Sequence, residues 1–318
     1  MLGPAAPIPL DAGILRRGCD LRAVGIEPTR GGWHQVRNGV WVTDHEWRVL
    51  TPEQAHAALV HATGLCLGRE DPVFAVTSAA AVWGLPRIEQ WPDAVRVLVA
   101  TEQRGRGSSL VRPHVGREAD PVRRGEILVT SPARTVVDLA RTGTLLTAVA
   151  AADHALRHRL CSPGELAAEV DAVPPRVRGR NAARLVAALA DPLSMSAGES
   201  LSRVQMFLLN LPRPELQKEI RDAAGLVGFV DFGWEGVVGE FDGKVKYRVA
   251  PGASAAEAGE VVWREKQRED RLRRQGRVAR WTWDIAMDRA RLGARLAEHG
   301  IRPLPTNTWV DLGARSAS

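Results

Sequence analysis

The 318-residue chain has only three cysteines, Cys19, Cys66 and Cys161, odd in number and far apart. That spacing excludes a disulfide framework and a C-x-x-C zinc pattern. No stretch approaches the roughly 18 consecutive apolar residues of a membrane span. The start, MLGPAAPIPLDAG, lacks the basic segment and apolar run of a secretory signal, so the expectation is a cytoplasmic protein with no membrane partner. Lysine is scarce too: of 43 basic residues only Lys218, Lys244, Lys246 and Lys266 are lysines, all in the C-terminal third. Where a cation alone suffices the chain uses arginine. A lysine therefore marks either a place where a compact, titratable charge matters or mere compositional drift.

What is present is an ordinary globular mix, 45% apolar and 25% charged, long enough for two or three domains. The formal net charge is +6 and the pI about 9.9, which favours an anionic partner, most simply DNA. The excess is concentrated: between Val261 and Glu298 stand eleven basic and six acidic side chains.

In GGWHQVRNGVWVTD, residues 31–44, Asn38-Gly39 predicts a two-residue type I′ hairpin turn between Trp33/Val36 and Val40/Trp41. Short helices ahead of this hairpin would give the layout of a winged helix, with Arg37 either a DNA contact or a solvated charge. AVGIEPTRGG, residues 23–32, is too rich in glycine and proline for a recognition helix. Thr51-Pro52-Glu53-Gln54 and Ser162-Pro163-Gly164-Glu165 read as capped helix starts. Between them a helix through Ser78–Trp83, strands near 95–99 and 110–114, and a helix after Ser131-Pro132 make a mixed α and β region. Residues 101–109 read as a solvated Gly- and Arg-rich turn, and 171–181 as part of a linker. His154 and His158 share one helix face at ligand spacing, but no third ligand accompanies them, so a solvent-facing pair is expected.

The sharpest signal is VGFVDFGWEGVVGEFDGKVKY, residues 227–247. A two-residue loop at Glu235-Gly236 pairs Trp234 with Val237 and sets Asp231 opposite Glu240. Parity then puts Val230, Phe232, Trp234, Val237, Gly239 and Phe241 on a core face. Asp231, Glu240 and Asp242 fall on the other, joined by Lys244 and Lys246 if the strand continues. Opposed carboxylates repel unless a cation neutralises them, and Mg²⁺ or Mn²⁺ with a phosphate substrate does that. Glu199, at the start of the helix GESLSRVQMFLLN, reads equally as a further metal ligand or as the third residue of a capping box opened by Ser196. Residues 250–259 read as a mobile loop. EVVWREKQREDRLRRQ then makes a helix stopped by Gly276, with Arg264, Lys266, Arg268 and Arg271 a candidate phosphate track or a solvated face.

From residue 199 to about 298 the chain resembles the very-short-patch-repair-like branch of the PD-(D/E)XK endonuclease superfamily. The resemblance is carried by Glu199, VDF with Asp231, GEFDGKVKY with Glu240 and Asp242, REKQRED and RVARWTW. It implies a mixed sheet flanked by helices and Mg²⁺-dependent DNA cleavage, with Asp231 and Glu240 binding the metal. The superfamily's lysine would fall where this chain has Asp242, so Lys244 or Lys246 would take its place. Residues 13–141 resemble the AbiEi-type antitoxins of type IV toxin–antitoxin systems through GGWHQVRNGVWV, TSAAAVWGLP and TSPARTVVDLAR. That resemblance implies an N-terminal winged helix, self-repression and a cognate toxin.

The expectation is therefore an α+β or α/β protein in four parts. Residues 1–50 form a winged-helix-like region, 51–191 an α/β middle region, 192–304 a nuclease-like domain and 305–318 a tail. The function is either that of a Mg²⁺-dependent DNA endonuclease, with Asp231, Glu240, Asp242, Lys244 and Lys246 catalytic, or that of a non-catalytic antitoxin or repressor.

Overall fold

A computed structural model of the protein describes residues 10–67, 71–100, 110–117, 120–243 and 255–310; of the side chains in 255–262, 264 and 265 nothing is described. The chain is α+β and divides into two compact units, Met1–Ala190 and Asp191–Ser318.

The first unit opens with β1 (Arg16–Arg17), α1 (Gly18–Ala23), β2 (Trp33–Arg37), β3 (Val40–Thr43) and α2 (Asp44–Val49). The three strands form an antiparallel sheet in the order β1-β3-β2. Where the recognition helix would lie there is only a three-residue 3-10 turn, Pro28–Arg30. The hairpin turn is not type I′, which needs positive φ at both central residues. Gly39 has φ +81°, but Asn38 is not among the left-handed residues, and the register slips between Gln35 and Arg37.

Next come α3 (Pro52–Leu67), β4 (Val73–Phe74), α4 (Val76–Trp83), β5 (Val95–Val99), β6 (Val111–Val115), β7 (Val122–Arg124) and β8 (Ile127–Val129). The capping box at Thr51 forms, with Gln54 N donating to Thr51 Oγ1 at 3.3 Å and Thr51 N to Gln54 Oε1 at 2.9 Å. The five strands are ordered β6-β5-β4-β8-β7 around a core of Val60, Phe74, Ala79, Val82, Val95, Ile127 and Val129. Four helices complete the unit: α5 (Pro132–Thr142), α6 (Leu145–Arg157), α7 (Pro163–Asp171) and α8 (Arg180–Leu189). Ser131 caps α5, and Ser162 caps α7 as its sequence predicts. The linker expected at 171–181 lies instead inside this unit. It connects α7 to α8, and α8 packs on α5, α6 and α7 through Ala183, Val186 and Leu189.

The second unit contains α9 (Ala197–Leu208), β9 (Glu215–Asp222), β10 (Gly225–Trp234), β11 (Val237–Asp242), α10 (Ala255–Gln275), β12 (Arg277–Thr282), α11 (Trp283–Met287) and α12 (Arg289–Glu298). Its sheet runs β12-β11-β10-β9, antiparallel except for the parallel pair β11–β12. Phe241 packs beside Gly198 of α9, and Val238 joins Ile220, Val227, Val230 and Leu272 of α10. Positions 238 and 241 point to opposite faces of a strand, so α9 and α10 cover opposite sides of the sheet. The loop expected at 250–259 is helical from Ala255; 250–254 lie outside the described residues. The expected tail is docked as far as Trp309, which is buried and donates from Nε1 to the Leu211 carbonyl at 2.6 Å. No described helix is long and apolar enough to cross a membrane.

Candidate functional site

The central hairpin of the second sheet pairs Trp234 with Val237, Gly233 with Val238 and Phe232 with Gly239. The pairing ends there, one rung short of the expected Asp231–Glu240 pair. There the ladder gives way to a side-chain contact: Asp231 Oδ2 accepts from the Phe241 amide at 2.8 Å. The core face is buried at Phe232, Trp234, Val237 and Phe241, but Val230 packs with Val238 and Leu272. The strict alternation expected across 230–232 is therefore broken at Asp231.

Glu240 is 4% exposed, and both of its oxygens are engaged by guanidinium groups. Arg268 of α10 reaches Oε1 at 2.7 Å, and Arg280, its register partner on β12, reaches Oε2 at 2.7 Å. Arg268 also donates to the Phe229 carbonyl at 2.9 Å. Its stem runs past Gly228, where φ is +148° and an added Cβ would lie 3.1 Å from Arg268 Nε. Arg280 is shared with Glu269 at 3.6 Å, which in turn pairs with Arg273 at 2.6 Å. The positive charge that opposed carboxylates demand is thus supplied by arginines in this structure.

Ser196 caps α9, and Glu199 braces that start without closing the full box on the Ser196 amide. Its carboxylate accepts from Met195 N at 2.8 Å and Ser196 Oγ at 2.9 Å, while its own amide donates to Ser196 Oγ at 3.2 Å. Gln217, left-handed at φ +49°, adds a bond from β9 at 3.2 Å. Asp242 is half-buried at the end of β11, opposite Thr282. Lys244 and Lys246 lie outside the described residues, as does the 101–109 turn.

Among the described residues no group of three His, Cys, Asp or Glu is placed to hold a metal ion. Of the two readings its sequence allows, Glu199 is engaged at the start of α9, and Glu240 is held by two arginines. In kind, the carboxylate oxygens of Asp231, Glu240 and Asp242 still fit a hard divalent cation.

The candidate DNA contacts divide. Arg271 grips Asp222 with two bonds, 2.8 and 2.6 Å, and holds that carboxyl below its usual range. Arg37 is half-buried and donates to Thr63 Oγ1 of α3 at 2.7 Å, which removes it from the free face of the hairpin. Lys266 is exposed on α10 beside Trp263, which is 58% exposed; the Arg264 side chain is outside the described residues.

No protein-family model matches the chain. It is similar to two uncharacterized proteins of Mycobacterium tuberculosis, from strains CDC 1551 / Oshkosh and ATCC 25618 / H37Rv. Each is 33% identical over 180 residues, which are 54% of this chain and 61% of the relative. The chain therefore spans less than two thirds of the length of the curated relatives it matches.

Two features of the first unit escaped the sequence. Asp138 is fully buried among Arg134 (2.9 Å), His114 (3.3 Å) and Arg141 (3.4 Å). The signal for it was an Arg and an Asp four apart on the helix PARTVVDLART. A cavity of about 840 Å³ is lined by His34, Trp47, His56, Trp91, Arg87 and Asp93 among others, residues too dispersed along the chain to suggest it. The pair His154/His158 is half-buried, its rings 4.2 Å apart. It does not face solvent freely, and burial pushes His154 down to about 4.

Proposed function

We propose that the protein associates with DNA in the cytoplasm, in defence or DNA processing, and that its second unit is a Mg²⁺-dependent endonuclease hydrolysing phosphodiesters. The observation that carries this reading is the seat of Glu240: a carboxylate buried in mid-sheet, one strand from Asp231. A buried carboxylate between two guanidiniums stabilises a fold no better than apolar side chains of similar volume, so its presence there favours a chemical role. Asp231 and Glu240 would hold the cation, which supplies Lewis acidity and an activated water. Asp242 and Lys244 or Lys246 would orient that water, and Lys266, exposed on α10, would meet the DNA backbone. The resemblance to PD-(D/E)XK enzymes supports the same assignment.

A second reading, a non-catalytic antitoxin or transcriptional repressor with a toxin as partner, is favoured by one observation: both Glu240 oxygens are already held at 2.7 Å. Linear, nicked and branched DNA incubated with the protein in Mg²⁺, Mn²⁺ or EDTA separates the two. The endonuclease reading expects metal-dependent cutting that Asp231→Asn abolishes. Retention of DNA with no cutting under any condition would leave the antitoxin.

A further inference from the structure

We propose that the cavity of the first unit binds an uncharged nucleobase that carries an amino group, as adenosine and cytidine do. Every residue that lines it belongs to that unit, so the assignment stands apart from the endonuclease reading.

Flat rings form much of the wall. His34 on β2 lies on Trp47 of α2, with ring centres 4.0 Å apart and planes 11° from parallel. His56 of α3 lies against Trp91, between α4 and β5, at 5.2 Å and 26°. Both pairs line the cavity, and both tryptophans are half-buried, so indole surface is left for a flat guest to stack on. The volume of about 840 Å³ falls in the range of small-molecule sites.

The polar groups select what that guest carries at its edge. His56 is 4% exposed, and its Nε2 has no hydrogen-bond partner among the described residues. The ring bonds the Pro92 carbonyl, which fixes the proton on Nδ1 and leaves Nε2 with its lone pair. Burial pushes this imidazole down to about 4, so near neutral pH it accepts and does not gain a second proton. A buried acceptor left open costs stability, and an N–H held in the cavity that this ring walls would satisfy it. The charges of the lining agree. Arg87 donates from Nε to the Gln90 carbonyl at 2.9 Å and stands 3.7 Å from Glu89, whose carboxylate accepts from the Thr144 and Thr147 hydroxyls. Glu53, one turn before His56 on α3, and Asp93 add two further acceptors. Three carboxylates to one guanidinium repel a phosphate and suit a neutral ring that offers N–H donors.

Equilibrium dialysis of the full chain against adenosine and cytidine tests this without any catalytic readout. At least one of the two is expected to bind, and roughly five- to tenfold more tightly than its analogue with hydrogen in place of the amino group. Adenosine 5′-monophosphate, which stands for a base still joined to phosphate in a nucleotide or a strand, is expected to bind more weakly than adenosine. His56→Phe keeps a ring against Trp91 but has no acceptor, and is expected to lose the preference for the amino group. Trp47→Ala is expected to weaken binding roughly tenfold or more through lost stacking. If circular dichroism shows that His56→Phe does not fold, the comparison of each nucleoside with its analogue on the wild-type chain decides alone. Failure of both nucleosides to bind would overturn the proposal, as would equal affinity for the amino-bearing and amino-free forms. Tighter binding of the monophosphate would overturn it too. So would binding of tetramethylammonium in place of the nucleosides, which would make the aromatic walls a cage for an organic cation.

Discussion

Asp138 lies wholly out of contact with solvent, and Arg134 Nε bonds it at 2.9 Å from one turn earlier on α5. Arg141 and the His114 ring approach its other oxygen. Gly116 is part of this seat, since a Cβ there would lie 2.9 Å from the Arg134 guanidinium. Removing one member of a buried ion pair strands the other in a medium that cannot solvate it. Asp138→Ala is therefore expected to lower the stability of the first unit by about 3–5 kcal/mol, read from urea unfolding at neutral pH. Replacing both Arg134 and Asp138 by apolar residues of similar volume should recover much of the loss. The same reasoning reverses a simpler expectation at Glu240. Repulsion between opposed acids predicts that neutralising one stabilises the hairpin, but Glu240 now balances Arg268 and Arg280, so losing its charge should weaken the second unit.

Helix α9 shows how closely an element can be pinned by a few local choices. Ser196 caps its first turn, Glu199 braces it, Ser202 Oγ accepts from Trp281 Nε1 at 2.8 Å, and Gly198 leaves room for the Phe241 ring. A methyl group at Gly198 would enter that ring, so helix and strand must separate. Gly198→Ala is expected to cost about 1–3 kcal/mol despite alanine's better helix propensity, measured as a lower denaturation midpoint of the second unit. Such local features were legible in the sequence: the caps at Thr51 and Ser162, and the hairpin register set by Glu235-Gly236. Two things were not. The partners of Glu240 come from α10 and β12, brought to β11 by tertiary packing that spacing along the chain does not encode. Residues 171–181 carry the prolines and arginines of a linker, yet the apolar stripe of α8 just beyond them, Ala183, Val186 and Leu189, ties the segment into the first unit.

Considered whole, the molecule has two units, each with its own sheet and core, so unfolding is not expected to be a single two-state step. Acid should separate them. Burial pushes His56, His61 and His154, all in the first unit, down to about 4. These imidazoles are neutral when folded and take up protons on unfolding at any pH between about 4 and their ordinary value near 6.5. Their contribution is complete above that value and is lost as pH falls through the window. Calorimetry at pH 7 and pH 5 should show one transition moving down more than the other, and His154→Gln should lessen the movement. At the far side of the second sheet, β9 is the outermost strand among the described residues, and five of its eight residues are charged: Glu215, Lys218, Glu219, Arg221 and Asp222. An unpaired strand edge is a template on which another polypeptide can crystallise into fibrous order, and ionic side chains along it deny that growth. The same strand that completes the fold thereby helps keep crowded copies of the chain dispersed.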